Sequence, residues 1–327
     1  MGKANEFELI ARYFSPLAVG EPGAFALTDD AAVIGLEPGQ RLAITTDTIV
    51  ENVHFMADDA PAAVAAKALR VNLSDLAAMG ATPKSYTLSL ALPEDRDEGW
   101  VAQFALALAA EQASFDISLI GGDTVATPGP LCVTVTAFGT VATGSELRRS
   151  DARAGDAVYV SGCIGDAALG LKVVQGELAN LAPKHARILT DRYHRPQPRV
   201  NLGPRLVDLA NAAIDISDGL AADLGHVCAA SGMAATIVVP RVPLSEAAQA
   251  AVTADPALMA AVLTGGDDYE ILFTCAPDDS STVAALAREL NLPLTAIGQV
   301  AEGSGGVRNI DGDGRDLDLG EAGYRHF

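Results

Sequence analysis

The sequence predicts two α/β domains. Three observations carry that reading: a length of 327 residues, an alternation of strand-like and helix-like segments, and a polar break at Ala142–Asp156. A chain of this length holds about two domains at about 150 residues each. The polar break carries charges, two glycines and no apolar period, as a linker does. The boundary is therefore placed after residue 145, giving domains 1–145 and 146–327.

The start, MGKANEFELIARYF, has the period of a short amphipathic helix and not of a signal peptide. Arg41–Thr46 reads as a strand. Pro61–Met79 reads as a long Ala-rich helix with proline in its first turn. Ser85–Leu92 alternates polar and apolar residues, as a half-buried strand does. Asp97–Phe115 follows as a helix and Ile117–Ile120 as a short strand. Leu131–Val141 is β-branched with period two and is the best strand of the chain. The second half restarts with a strand at Ala157–Ser161 and a helix from Asp166. Helices are expected near Leu202–Ala212, at Leu220–Ser231, in the Ala-rich run after Ser245 and near Ser281–Leu290. Strands are expected at Ala235–Val239 and Glu270–Thr274. A Gly-Gly-Asp recurs at 121–123 and 265–267, a faint echo that ordinary turn chemistry explains equally well.

Composition narrows the function. The chain carries 22 Lys and Arg against 42 Asp and Glu, a net charge of −20. Nucleic acids and anionic membranes need clustered cations, so both are excluded as partners. Four scattered cysteines form no Cys-x-x-Cys, which argues against zinc, iron–sulfur and disulfide frameworks. No apolar run reaches the ~18 residues of a membrane span, and a cytoplasmic protein is expected. There is no G-x-x-x-x-G-K-[ST], no G-x-S-x-G and no H-E-x-x-H. The five histidines show no ligand spacing.

What remains is a set of aspartates, most of them at the ends of apolar runs. They are Asp29-Asp30, Asp47 in Thr45-Thr46-Asp47-Thr48, Asp75 in a helix, Asp123 after Gly121-Gly122, Asp215 and Asp218 around Ser217, and Asp267-Asp268. One such Asp is ordinarily a turn former or a helix cap. Six clusters suit several hard divalent cations such as Mg²⁺. Bound cations would also reverse the local field, so that an acidic cleft accepts a polyphosphate. The glycine pairs would let backbone N–H groups approach a phosphate. His54, seven residues after Asp47, is either a half-buried surface histidine or a donor to an anionic substrate. Arg148-Arg149 is either a solvated linker pair or a phosphate clamp.

These segments also resemble a known family. The runs ITTDT (44–48), VNLSDLAAMG (71–80), LIGGDT (119–124), LRRS (147–150), IDISDGLAADLG (214–225) and TGGDDYE (264–270), with Asp30 and His54, resemble the thiamine-monophosphate kinases. The match covers essentially the whole chain in order. It implies the two-domain aminoimidazole ribonucleotide synthetase-like fold, with N-terminal sheets forming a barrel across a homodimer. The N-terminal domain would then bind Mg²⁺ and ATP and dimerise, and the C-terminal domain would complete the substrate site. The resemblance implies Mg²⁺ ligation by Asp30, Thr45, Thr46, Asp47, Asp75, Asp123, Asp215 and Asp218, the threonines through backbone or hydroxyl oxygen. It implies ATP contacts at Gly122, Asp123, Arg149 and Ser217, and thiamine monophosphate contacts at His54, Asp267 and Tyr324. The family usually has Glu where Asp267 stands, and often Thr-Arg where Val125-Ala126 stands.

The implied reaction joins two phosphates. A phosphate monoester has a second pKa near ~6, so the acceptor is already an ionised nucleophile at neutral pH and no general base is expected. The work is charge neutralisation and in-line alignment, with Arg149 as an additional clamp. Direct transfer is expected, and a phospho-aspartate is the rival route. Two other readings stay open: another ATP-dependent enzyme of the same superfamily, or a non-catalytic relative binding metal or nucleotide. Selenophosphate synthetases use an N-terminal Cys or Sec, whereas the first cysteine here is Cys132.

Overall fold

In the computed structural model, residues 6–303 and 306–317 are described, and they fall into two units. The first draws on Met1–Leu76 and Ala81–Gly144, and the second on Ala77–Gly80 and Ser145–Phe327. The chain opens with one helical turn, α1 (Glu6–Leu9), followed by a π turn and two 3₁₀ turns to Leu27.

The first unit is built on a four-stranded sheet in the order β1-β4-β2-β3. Its strands are β1 (Gln40–Val50), β2 (Thr82–Pro93), β3 (Ser118–Thr127) and β4 (Cys132–Ala142). β4 pairs antiparallel with β1 and β2, and β2 pairs parallel with β3. The parallel pair needs a crossover, and α3 (Glu98–Phe115) provides it. Asp97 caps α3 by accepting from Trp100 N–H at 2.8 Å, and left-handed Asp116 ends it. α2 (Pro61–Ala78) buries Val64, Leu69, Leu73 and Leu76. It is tied to α3 by Arg70 and Glu111. Period two splits β1: Ile49 is buried on one side, while Leu42, Ile44, Thr46 and Thr48 are exposed on the other. The sheet is open, with β1 and β3 as its edges, so one chain holds no closed barrel.

The second unit holds a six-stranded sheet in the order β10-β7-β9-β5-β8-β6. The strands are β5 (Ala157–Ser161), β6 (Ala212–Asp215), β7 (Met233–Val238), β8 (Ile271–Cys275), β9 (Leu294–Glu302) and β10 (Val307–Ile310). β8, next to the edge strand β6, is buried at every residue because both faces are covered. Leu272 joins one core with Val158, Val160 and Ile214. Ile271 and Phe273 join the other with Tyr159 and Ala213. The helices are α4 (Asp166–Val174), α5 (Pro183–His194), α6 (Gly203–Leu206), α7 (Leu220–Ser231), α8 (Glu246–Ala254), α9 (Leu258–Thr264) and α10 (Ser280–Leu290).

Four sequence expectations need correction. The helix expected over Leu202–Ala212 is only the single turn α6, and Ala212 already begins β6. The strand expected at Ile117–Ile120 runs on to Thr127. Asp47 and Asp123 therefore lie inside strands and not at their ends. The Gly-Gly-Asp echo dissolves as well, since 121–123 is strand and 265–267 is loop.

Candidate active site

The first unit gathers its acidic groups in two places. Thr45 and Asp47 are two residues apart on β1 and face α2 together. Thr45 donates its hydroxyl to Asp75 Oδ2 on α2. The Asp47 N–H donates to Asn72 Oδ1 at 3.1 Å, and Asn72 is itself fixed to the Ala68 carbonyl at 3.0 Å. Burial and the neighbouring Asp75 carboxylate push Asp47 up to about 7 from its ordinary 3.8. Two carboxylates this close share a proton, or accept a cation between them. Their hard oxygen donors fit a divalent ion such as Mg²⁺.

Thr46 does not belong to this cluster through its hydroxyl. It points to the opposite face, toward the Val135 carbonyl at 3.1 Å and Thr136 Oγ1 at 3.0 Å. Only its backbone remains for the role the resemblance implies.

Asp30 and Asp123 meet elsewhere. Both line a cavity of about 140 Å³ together with Asp29, Gly121 and Gly122. Asp123 pairs with Ser89, Ser89 with Thr134 and Thr134 with Thr48, so all four share the outer face of the sheet. Asp47 lies on the inner face at the other edge, three strand spacings or about 14 Å away. The structure therefore does not bring Asp123 together with Asp47 and Asp75. Gly122 has a second reason to be glycine: a Cβ there would stand 1.9 Å from the Leu88 carbonyl oxygen of β2. His54 Nδ1 accepts from the Val50 N–H at 3.0 Å, so the neutral ring carries its proton on Nε2. Lys67 donates to the His54 carbonyl at 2.8 Å.

The second unit builds its cluster where two segments lie side by side. Asp267 N–H donates to the Ser217 carbonyl at 2.9 Å, and Tyr269 N–H to the Ile216 carbonyl at 2.8 Å. A Cβ on Gly266 would fall 2.1 Å from the Ser217 oxygen, so glycine is required there. Buried Asp215 ends β6 just before this contact. The N–H groups of Ser217, Asp218 and Gly219 converge on Asp223 Oδ2 at 3.0–3.1 Å. Burial nonetheless pushes Asp223 up to about 7. Asp218, Asp223 and His226 place one ligand atom each within 4.8 Å of one another. Asp223 and His226 are absent from the sequence-derived site, although an Asp-x-x-His on one helix face is a visible signal. Asp267 and Tyr269 both adopt left-handed backbone, at φ 72° and 51°. Such positions cost about 1–2 kcal/mol each for an L-residue.

Arg149 stands apart from Ser217 and Asp218. Its carbonyl accepts from Ser231 at the C-terminal end of α7, and Ser217 precedes the N-terminal end. The 12 residues of α7 separate them by about 18 Å. Arg148 pairs with Asp151, while the Arg149 side chain is exposed. Tyr324 lies outside the described residues.

Comparison with known proteins gives these clusters a family. Residues 28–141 match the AIR synthase related protein N-terminal domain, and residues 153–311 match its C-terminal domain. Thiamine-monophosphate kinase of Escherichia coli K12 is 44% identical over 324 residues, covering 99% of this chain and 98% of the relative. The chain belongs to the thiamine-monophosphate kinase family. The crystal structure of the thiamine-monophosphate kinase from Stenotrophomonas maltophilia superposes with a TM-score of 0.81 at 43% identity, covering 89% of this chain and 91% of that one. AaThiL, solved in complex with AMPPCP and TMP, superposes at 0.78 with 31% identity, covering 94% and 98%. The thiamine-monophosphate kinase relatives thus span both units. Among the described residues no helix is long and apolar enough to cross a membrane.

Proposed function

We propose that this chain transfers the terminal phosphate of ATP to thiamine monophosphate, giving ADP and thiamine diphosphate. The observation that carries the reading is the full-length kinship with thiamine-monophosphate kinases, one of them solved with an ATP analogue and TMP. The geometry supports it in the first unit through the paired carboxylates of Asp47 and Asp75. In the second it does so through Asp267, bonded to the Ser217 carbonyl, and the neighbouring Asp218. Both clusters hold oxygen donors, and the proposed transfer calls on no general base. None is needed, since the acceptor phosphate is ionised above its second pKa near ~6.

Asp30, Asp47, Asp75, Asp123, Asp215 and Asp218 are the carboxylates proposed to hold several Mg²⁺ ions, with Thr45 and the backbone of Thr46 beside them. Bound there, the cations supply the positive charge that lets two polyanions approach. Thr45 and Asn72 keep Asp47 and Asp75 in register before any ligand arrives. Gly122, Asp123, Arg149 and Ser217 are assigned to ATP, with Arg149 about 18 Å from Ser217 and so on a different part of the nucleotide. His54 presents Nε2–H to the acceptor phosphate, and Asp267 with Tyr324 takes the thiamine end.

The outer face of the first sheet supports a homodimer. Ile44 is 60% exposed and Leu42 41% in the single chain. A second copy laid on this face would close the two sheets into a barrel. Cytoplasmic residence belongs to the same reading.

The test is ADP release from ATP with excess Mg²⁺, comparing thiamine monophosphate, free thiamine and no acceptor, with products identified by mass. Thiamine diphosphate formed from the monophosphate alone is the expected result. ADP release without dependence on acceptor would overturn the substrate.

A further inference from the structure

We propose that Glu270, clamped by Arg192, Arg199 and Ser161, is a positioning residue that aims Asp267 and Tyr269 at the acceptor substrate. The inference rests on the reading of Asp267 as an acceptor contact.

Glu270 is fully buried. Its Oε1 accepts from Arg192 Nη2 at 2.7 Å and from Arg199 Nη2. Its Oε2 accepts from Arg199 Nε and Ser161 Oγ, each at 2.6 Å. The Ser161 oxygen in turn accepts from Ile271 N–H at 2.9 Å. These donors come from the end of β5, from α5 and from the loop after α5. Gly162 leaves room for the clamp: a Cβ there would stand 2.2 Å from Glu270 Oε1. Apolar packing would stabilise such a site as well as buried charge does, or better. What the charged cluster adds is one fixed position for the backbone of residue 270.

Asp268 repeats the device two residues earlier. It is buried and accepts from Gly165 N–H at 2.6 Å and Ala167 N–H at 3.3 Å, at the start of α4. Residues 268 and 270 are thus anchored, and 267 and 269 alternate with them. Both of the latter hold left-handed backbone, which persists in non-glycine residues only where the surroundings fix it. The Tyr269 hydroxyl reaches Asp267 Oδ1 at 3.4 Å. A carboxylate and an aromatic ring held side by side suit an organic cation bearing an amino group.

The variants are Arg199→Lys, which keeps the charge but loses the two-pronged contact, the milder Ser161→Ala, and Glu270→Gln. Arg199→Lys should raise KM for thiamine monophosphate about tenfold while KM for ATP stays within about twofold. Ser161→Ala should move it in the same direction by less, which keeps the test alive if Glu270→Gln fails to fold. Adding Arg199→Lys to Asp267→Ala should raise KM by clearly less than Arg199→Lys does in the parent, because much of the clamp's effect passes through Asp267. Equal rises in both KM values, additive losses, or a fall in kcat that only tracks thermal stability would overturn the proposal. Hydrogen exchange separates this from a wrong substrate. Faster exchange of the Asp267 and Tyr269 amides in Arg199→Lys, with other strands unchanged, upholds the clamp even if no thiamine diphosphate forms. Unchanged exchange there sinks it.

Discussion

The carboxylates of Asp47 on β1 and Asp75 on α2 repel each other, and that repulsion helps burial raise Asp47 to about 7. A strand and a helix are joined here through groups that destabilise each other unless a proton or a cation lies between them. The arrangement costs stability and gains a binding site, and its balance can be measured.

Replacing Asp47 by Asn removes the repulsion but keeps the shape. In chelator, Asp47→Asn should be more stable than the parent by about 1 kcal/mol, as substitutions that relieve strain at active sites are. Its kcat should fall about 100-fold or more, the scale for losing one electrostatic contact to a transition state. Denaturant melts and initial rates check both halves, and a variant that is stabilised yet fully active would refute the assignment.

The pH dependence has a definite sign. Asp47 and Asp223 are raised to about 7 and Asp268 to about 8, each from 3.8. The folded chain therefore holds protons that the unfolded chain releases. The stability these groups contribute is fully present below the unfolded value near 3.8 and is lost as pH passes the folded values. Each titrating group gives a slope of up to about 1.4 kcal/mol per pH unit. The thermal midpoint in chelator should fall between pH 6 and pH 8. Mg²⁺ should raise it more at pH 8 than at pH 6, because the cation displaces a proton. A midpoint that climbs with pH in chelator would contradict the assignment.

Two glycines should respond in opposite directions. Gly266→Ala places a Cβ 2.1 Å from the Ser217 carbonyl and should destabilise by about 2 kcal/mol, an overpacking cost. Gly225 lies inside α7 with no atom within 4 Å of a built Cβ. Gly225→Ala should stabilise by about 0.5–1 kcal/mol through helix propensity. Thermal melts of the two variants side by side decide the matter.

The proposed dimer face is testable by charge. Ile44→Asp puts a carboxylate in the middle of the exposed face of β1. The parent should sediment as a dimer and the variant as a monomer. A variant that remains dimeric would place the interface elsewhere.

Much of the fold is legible where period and capping agree. Pro61 and Asp97 mark the two long helices of the first unit, and the alternation in β4 announces its strand. β3 is cut short in the sequence because Gly121-Gly122 reads as a break, whereas Gly122 is what lets β3 approach Leu88. α5 is missed because PKHARILTDRYH is polar, burying only Leu189 and Tyr193. The aspartates are legible as a set but not as a layout. Composition cannot tell that Asp47 and Asp123 occupy opposite edges and faces of one sheet, since that depends on strand order. Thr46 could have been separated from Thr45 by the two-residue period alone.

The alternation from Asp267 to Glu270 bears on how such a protein changes over time. The inward residues are bound by several partners each, so altering one disturbs a whole neighbourhood. Position 267 is half-buried and is held through its backbone N–H to Ser217 and by the Tyr269 hydroxyl, so its carboxylate is less enclosed than those of 268 and 270. A lineage can exchange Glu for Asp there, shortening its reach by one methylene, while the frame that carries it is inherited intact. Selection on the ligand and selection on folding then act on neighbouring codons without colliding.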